Sequence, residues 1–222
     1  MRRTTKSKQQ LAKTDAENHP GPYSWRAGRS PKQKLKGDKI MDRTLAGRMV
    51  NKVLTSAIRY GKEELGDTWT AQDGSLMACD GARVYKLKFT PLGIKGNAYA
   101  ENADPLHADA IRLLQQQSEK YIDIYVHDDS FFQTDAPDVE IVKQKIETRK
   151  TAEKKATEAA TYHFENGPYF NPMYLYDVIR LLPGAKWFIT NNPYKPVIAI
   201  SPDGLALLLP VRIFTGKAKK AA

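Results

Sequence analysis

Apolar residues recur at helical spacing in the stretch MDRTLAGRMVNKVLTSAIRY, residues 41–60. A repeat every three or four residues predicts an amphipathic helix with one broad apolar face. At about 100° per residue, Arg48, Lys52 and Arg59 fall within about 40° of one another on the opposite side, beside Thr55. Such a basic stripe faces either solvent or a polyanion, and both interpretations stay open on this pattern alone.

Three short runs with the composition of β-strands follow this helix: TWTAQ, SLMAC and ARVYKLKF. The turns between them carry Asp73-Gly74 and Asp80-Gly81. Asp-Gly between apolar runs is a strong hairpin signal, because glycine readily adopts the positive φ of tight turns. Residues 41–90 therefore predict a helix followed by three antiparallel strands.

Residues 161–213 repeat this plan. TYHFE is a possible strand, and Asn171-Pro172 then open a helix, MYLYDVIRLL, because Asn is a good N-cap and Pro suits the first helical position. Three further runs predict strands: KWFIT, PVIAIS and LALLLPVRI. A helix followed by three strands therefore occurs twice, which is an internal repeat of architecture.

The segment between the two copies, roughly residues 91–160, is irregular. PLHADAIRLLQQQSEK predicts a helix and YIDIYVH predicts a strand. DVEIVKQKIETRKTAEKKATEAA predicts a long charged helix, since acids and bases alternate at three- and four-residue spacing. Ile141, Val142 and Ile146 give it a narrow apolar stripe, so we expect this helix to lie on the surface.

The chain of 222 residues carries a net charge of +10, concentrated at its ends. Residues 1–39 hold eleven Lys and Arg against three acids, and Lys217, Lys219 and Lys220 follow near the other end. Basic ends on a nearly neutral body predict contact with a polyanion such as nucleic acid, or else a solubilising arm. Residues 1–37 lack periodicity and aliphatic content, which predicts a flexible segment.

Several chemical classes find no support in the sequence. The single cysteine, Cys79, rules out an intrachain disulfide and a multi-cysteine metal cluster. No run reaches the length of a membrane span, and MRRTTKSKQQ lacks the apolar stretch of a signal peptide, so we expect a cytoplasmic protein. His127-Asp128-Asp129 has no second ligand cluster and predicts a turn. We expect no enzyme, no cofactor and no metal.

Two stretches carry a family resemblance. FNPMYLYDVIRLLPGAKWFITNNPYKPVIAISPDGLALLLPVRI, residues 170–213, resembles the last part of bacterial DNA polymerase III β subunits, the sliding clamps. That family ends on Met-Pro-Met/Val-Arg-Leu/Ile, which LPVRI matches apart from Leu for Met. CDGARVY, residues 79–85, is similar to the family's Thr-Asp-Gly-His-Arg-Leu stretch, with Asp80, Gly81 and Arg83 retained. The resemblance covers about 50 residues in each half of the chain.

The resemblance implies an α+β fold, the DNA clamp (processivity) fold. This fold consists of two β-α-β-β-β modules with helices on one face of antiparallel sheet, here with a helical insertion. The expected organisation is a flexible basic N-terminal arm at 1–37, one clamp-like domain at 38–215 and a basic tail at 216–222. Within the domain we expect modules at about 38–92 and 161–213 and the insertion at about 93–160.

The resemblance also implies a DNA-binding surface. In the clamp family the helices face duplex DNA and attract its phosphates without reading sequence. Here that role falls to Arg48, Lys52, Arg59 and Arg180. The second helix offers only Arg180, beside Asp177, so the expected lining is thin. Bacterial clamps have three such domains, so a ring of this chain requires head-to-tail self-assembly.

A hydrophobic cleft for partner peptides is the second implied site. Its expected residues are Gly81, Arg83 and Val84 on one side and Leu209, Pro210, Val211 and Ile213 on the other. We expect the two sides to meet only across a subunit boundary. Ala82 stands where the family usually has histidine and Cys79 where it has threonine, so a changed or lost peptide preference is expected.

The sequence therefore favours a sliding-clamp-like, DNA-associated protein, acting as a replication processivity or scaffolding factor. Its expected partners are duplex DNA, replication proteins carrying clamp-binding peptides, and further copies of itself. Two alternatives stay open. One is a monomeric clamp-fold interaction module or clamp mimic, which binds replication proteins without encircling DNA. The other is a nucleic-acid-binding protein whose affinity resides in the N-terminal arm.

Overall fold

The computed structural model describes four stretches of the chain, residues 42–96, 105–153, 156–165 and 167–213. The predicted basic arm and basic tail lie outside these described residues. So does the start of the first module, where its leading strand is expected. All the described residues belong to one compact unit of the chain.

Helix α1 spans Arg43–Arg59, close to the predicted 41–60. The carboxylate of Asp42 caps it by accepting from the amides of Thr44 at 2.9 Å and Leu45 at 3.1 Å. These bonds satisfy amide groups that a helix start leaves without partners. The apolar face is buried as predicted, through Ala46, Met49, Val50, Val53, Leu54 and Ala57.

A short 3₁₀ helix, Glu63–Leu65, leads from α1 into the first three strands. These strands are β1 (Trp69–Thr70), β2 (Leu76–Cys79) and β3 (Arg83–Leu87). Both predicted Asp-Gly turns are present: Gly74 has φ 81° and Gly81 has φ 82°. Residues other than glycine rarely adopt these φ angles, so the two glycines help to set where the strands end.

The middle segment contains α2 (Pro105–Val126), β4 (Phe132–Thr134) and α3 (Val139–Thr151). The predicted strand YIDIYVH is wrong, because these residues continue α2. Ile122 and Val126, four residues apart, are buried, whereas Ile124 is 50% exposed. The predicted long charged helix is also too long, since it ends at Thr151 and Ala152 is extended.

The second half begins with β5 (Tyr162–His163) and β6 (Tyr169–Phe170). It continues with α4 (Pro172–Leu181), β7 (Lys186–Ile189), β8 (Val197–Ser201) and β9 (Gly204–Leu208). As predicted, Asn171 caps α4, with its side-chain oxygen accepting from the amide of Met173 at 3.1 Å. The strand β9 ends at Leu208, so LPVRI lies beyond it.

The two halves join in one antiparallel sheet with the order β1-β2-β3-β9-β8-β7-β4. The central pair is β3 with β9, in a register that sets Arg83 opposite Leu208 and Leu87 opposite Gly204. The mixed α+β class with a large antiparallel sheet is confirmed. The predicted leading strand TYHFE contributes β5, which pairs with β6 in a separate two-stranded sheet.

Helices lie on both faces of the large sheet. One face, here called the helix face, carries α1 and α4, whose apolar residues share a core cluster with Tyr85 and Leu87 of β3. Val142 of α3 is fully buried in the same cluster. On the other face, α2 packs near Val84 and Leu207. As predicted, α3 lies on the surface: Val142 and the partly buried Ile146 pack against the core, whereas Ile141 is 46% exposed.

Candidate nucleic-acid interface

The basic stripe of α1 lies on the solvent side of the helix, as its periodicity predicts. Arg48, Lys52 and Arg59 are exposed there. All three line a hollow of about 630 Å³ on the helix face, whose lining also includes Tyr174 of α4 and Arg149 of α3. The hollow therefore collects cations from two helices that are far apart in the sequence.

A second hollow of about 290 Å³ adjoins the first. Both are lined by Lys52, Met173 and Asp177, so they form one continuous depression. The second hollow adds Lys143, Ile146, Glu147 and Lys150 of α3, together with Tyr176 of α4. We call the combined depression the helix groove. It runs over α4, with α1 on one side and α3 on the other.

Asp177 lies at the centre of the groove floor and is only 4% exposed. One carboxylate oxygen accepts from Lys52 Nζ at 2.6 Å, and the other accepts from Arg83 Nη1 at 3.1 Å. A buried carboxylate is tolerated only when it is paired and hydrogen-bonded, and Asp177 meets both conditions. It ties α1, β3 and α4 together.

Arg83 is the other buried centre of this network, at 3% exposure. Its Nε donates to Asp80 at 2.9 Å, while Nη2 donates to the Lys52 carbonyl at 3.2 Å and to Ser56 Oγ at 3.3 Å. Its guanidinium carbon lies 4.2 Å from the ring centre of Tyr174. Burial alone would lower the pKa of Arg83, but the neighbouring Tyr85, Asp80 and Asp177 raise it above its ordinary value, so the residue stays charged.

The four residues predicted to contact DNA do not all meet. Arg180 is exposed on α4, with its guanidinium carbon 5.5 Å from the ring centre of Tyr176, and does not line the groove. Instead, α3 supplies the cations that the second helix lacks. Sequence reasoning missed these α3 residues, because a charged helix gives no sign of which neighbour it packs against.

Residues of the predicted peptide cleft divide between two further hollows. Gly81, Arg83, Val84 and Leu209 line one of about 280 Å³, which α2 closes with Tyr121 and Tyr125. The other, of about 770 Å³, is lined by Leu209, Pro210, Val211 and Ile213 together with Tyr169 and Tyr194. Only Leu209 borders both.

One feature of the predicted cleft needs correction, namely where its two sides meet. The amide of Leu209 donates to the carbonyl of Ala82 at 2.8 Å, so its two sides adjoin within one chain rather than across a subunit boundary. The central pairing of β3 with β9 makes this unavoidable. Arg83 and Val84 also point to opposite faces, because neighbouring side chains in a strand alternate. The guanidinium of Arg83 therefore belongs to the helix face.

His127-Asp128-Asp129 forms a turn after α2, as predicted. The Asp128 carboxylate accepts from Lys195 Nζ and from the amide of Ser130, and these bonds, led by the one from Lys195, lower the pKa of Asp128 to about 2. Across the described ranges, no three His, Cys, Asp or Glu side chains are grouped so as to hold a metal ion. In the same ranges, no helix combines the length and apolar character needed to cross a membrane.

Comparisons with known proteins give little similarity. No protein-family model and no curated protein sequence matches this chain. A crystal structure of the DNA polymerase III β chain from Streptococcus pneumoniae TIGR4 is similar at 16% identity, over 86% of this chain and 68% of that one. Its TM-score is 0.35, which is too low to assign a shared fold.

Proposed function

We propose that this protein is a DNA-associated protein of clamp-like architecture, which holds nucleic-acid phosphates in the helix groove without reading sequence. The observation that carries the proposal is the convergence of cations on one groove from two separate segments, Arg48, Lys52 and Arg59 on α1 and Arg149 on α3. Lys and Arg along a groove attract phosphates and leave base edges unread.

The clamp-like part of the proposal is supported by the arrangement of the two halves. Each half presents one helix and three strands, and the halves share one sheet with both helices on the same face. This agrees with the plan that the resemblance of CDGARVY and LPVRI implies. In this role the protein is a replication processivity or scaffolding factor. Partner peptides would dock at Gly81, Val84 and Leu209 while DNA occupies the opposite face.

Charge reversal on α1 tests the nucleic-acid part. In the full chain, Arg48→Glu with Arg59→Glu is expected to weaken binding of a short labelled DNA about tenfold or more, measured by fluorescence anisotropy. The matched control is Arg112→Glu with Lys120→Glu, which makes the same charge change at exposed positions of α2 on the other face. Equal losses in the two variants would mean that net charge, and not the helix groove, drives binding.

A monomeric interaction module is the second candidate, and two observations favour it. The edge strands β1 and β4 have only two and three residues, which is little backbone for head-to-tail pairing. The two sides of the predicted cleft also adjoin in one chain, so a neighbouring copy is not needed to complete it. Light scattering at micromolar concentration separates the candidates: a closed oligomer supports a ring, and a strict monomer supports the module.

A further inference from the structure

We propose that the helix groove takes a single nucleic-acid strand in preference to a duplex. This inference rests on the proposed function and specifies its substrate. It depends on three features of the groove, which are its width, its aromatic floor and the cations on both of its walls.

The groove is narrow because α4 is recessed between two helices. Within α4 only Met173 and Arg180 are exposed, and the other residues are buried or half-buried. Both α1 and α3 pack against α4 and stand beside it. Packed helices lie about 8–10 Å apart and measure about 10–12 Å across, so the walls leave at most roughly 10 Å between facing side chains. A single strand fits this gap, whereas a duplex would rest on the two rims.

The floor and rim carry aromatic rings at the level where unpaired bases would lie. Tyr174 and Tyr176 are half-buried on the floor, and Tyr60 is 60% exposed at the end of α1. Tyr60 and Tyr174 both line the groove, and the guanidinium carbon of Arg83 lies 4.2 Å from the ring centre of Tyr174. Aromatic rings stack on unpaired bases of any sequence, but a duplex keeps its bases inside its own stack. An exposed tyrosine at this place therefore favours a single strand.

Cations on the two walls suit a strand that runs between them. Arg48 and Arg59 stand on α1, and Lys143 and Lys150 stand on α3. The two lysines form exposed pairs with Glu140 at 2.8 Å and Glu147 at 2.7 Å. Exposed pairs of this kind contribute little free energy, so phosphates can replace the glutamates as partners. Glu147 and Asp177 also line this part of the groove, where Lys52, Lys143 and Lys150 outnumber them.

The test compares a single-stranded oligonucleotide with a duplex of the same sequence, using the full chain and fluorescence anisotropy. We expect the single strand to bind several-fold more tightly. Tyr60→Ala is expected to weaken single-strand binding roughly five- to tenfold, from lost stacking, and to change duplex binding less than about twofold. The matched control is Tyr121→Ala, which removes a tyrosine of similar exposure, 58% against 60%, from α2.

A second variant tests the α3 wall without touching α4. Lys143→Gln with Lys150→Gln is expected to make the dependence of log K on log salt less steep by about 1.4 for the single strand, because two phosphate contacts are lost. An unchanged salt dependence would mean that α3 does not contact the strand, and would overturn the proposal.

The remaining outcomes separate this inference from the proposed function. Duplex binding as tight as single-strand binding, with no effect of Tyr60→Ala, overturns the inference and leaves the proposed function standing. A single-strand preference that Tyr60→Ala does not reduce also overturns it, since stacking is then absent. If neither nucleic acid binds, or if reversal at Arg48 and Arg59 has no effect, the proposed function fails as well.

Discussion

Asp177 is the residue on which the charge balance of the helix face depends. It is buried between Lys52 and Arg83, and Arg83 is buried as well. Removing one member of a buried ion network leaves the others without compensation, which costs more than the pair contributes when it is intact. Asp177 thus supports the floor of the groove and fixes the direction in which Lys52 points.

Replacing Asp177 should therefore destabilise the fold strongly. We expect Asp177→Ala to lower the free energy of unfolding by about 3–5 kcal/mol, measured by urea denaturation. The matched control is Asp73→Ala, which breaks a partly exposed pair with Lys86 and should cost less than about 1 kcal/mol. A loss below about 1 kcal/mol for Asp177→Ala would show that the network contributes little.

The lowered pKa of Asp128 predicts how this carboxylate changes the stability of the fold with pH. Hydrogen bonds from Lys195 and Ser130 lower its folded pKa to about 2, below the unfolded value of 3.8. The contribution of this carboxylate to stability is therefore fully present above pH 3.8 and is lost as pH falls toward 2. Because the Asp128 side chain is partly exposed to solvent, we expect its contribution to stability to be small.

The Lys195→Met variant tests this cause directly. Since the bond from Lys195 is the largest cause of the shift, the pKa of Asp128 should rise toward 3.8, as measured by NMR titration of its carboxyl carbon. Asp203, which has no bond to Lys195 among the described contacts, serves as the internal control. A titration midpoint of Asp128 that does not move would exclude the bond in solution.

The burial of the Arg83 side chain could not be predicted from the sequence. The sequence retains it within CDGARVY, and the resemblance predicts a role at the peptide cleft. Its partner Asp177 lies 94 positions further along the chain, so the burial of the guanidinium follows only from packing. The alternation of β3 did contain a signal, since residues 83 and 84 cannot share a face. The peptide-binding roles predicted for Gly81, Arg83, Val84, Leu209, Pro210, Val211 and Ile213 stay predictions.

At the scale of elements, local signals predicted the helices and strands of both halves except β6. Asp42 and Asn171 cap α1 and α4, and the Asp-Gly turns separate β1, β2 and β3. These signals act through neighbouring residues and need no tertiary information. YIDIYVH failed because its apolar spacing satisfies both periods, and continuity with the preceding helix decided the outcome. The end of α3 was missed because no glycine or proline marks it.

Gly47 is the element-scale position most sensitive to an added methyl group. It lies within α1, where Ala would normally favour the helix by about 1 kcal/mol. A Cβ at this position would collide with the backbone carbonyl of Leu92, which cannot withdraw as a flexible side chain can. The amide of Leu92 donates to the backbone carbonyl of Arg43 at 3.0 Å, and this bond holds the segment around Leu92 against the helix.

We therefore expect Gly47→Ala to destabilise the protein by about 1–3 kcal/mol despite its better helix propensity, measured by urea denaturation. The comparison is Thr55→Ala, an exposed position of the same helix, which should be neutral or slightly stabilising. If Gly47→Ala proves as stable as Thr55→Ala, the close approach of Leu92 to α1 is not maintained in solution.

At the scale of the whole molecule, the repeat predicted the pairing of the two halves but not what surrounds them. The joined sheet follows from two equivalent modules that each have an open edge strand to pair. The positions of α2 on one face and α3 beside α4 depend on long-range packing, for which the sequence carries no local signal. The helix groove therefore could not be predicted from the sequence, because it forms only when the chain folds. The basic stripe of α1, which forms one of its walls, was predicted.

The measurement that tests the central claim most directly is photochemical cross-linking of the full chain to a nucleic acid, followed by peptide mapping. The account predicts cross-links in α1 near Tyr60, in α3 between residues 143 and 150, and in α4 near Tyr174. Cross-links confined to residues 1–39 would contradict it, because they would place binding in the basic arm and leave the helix groove unused.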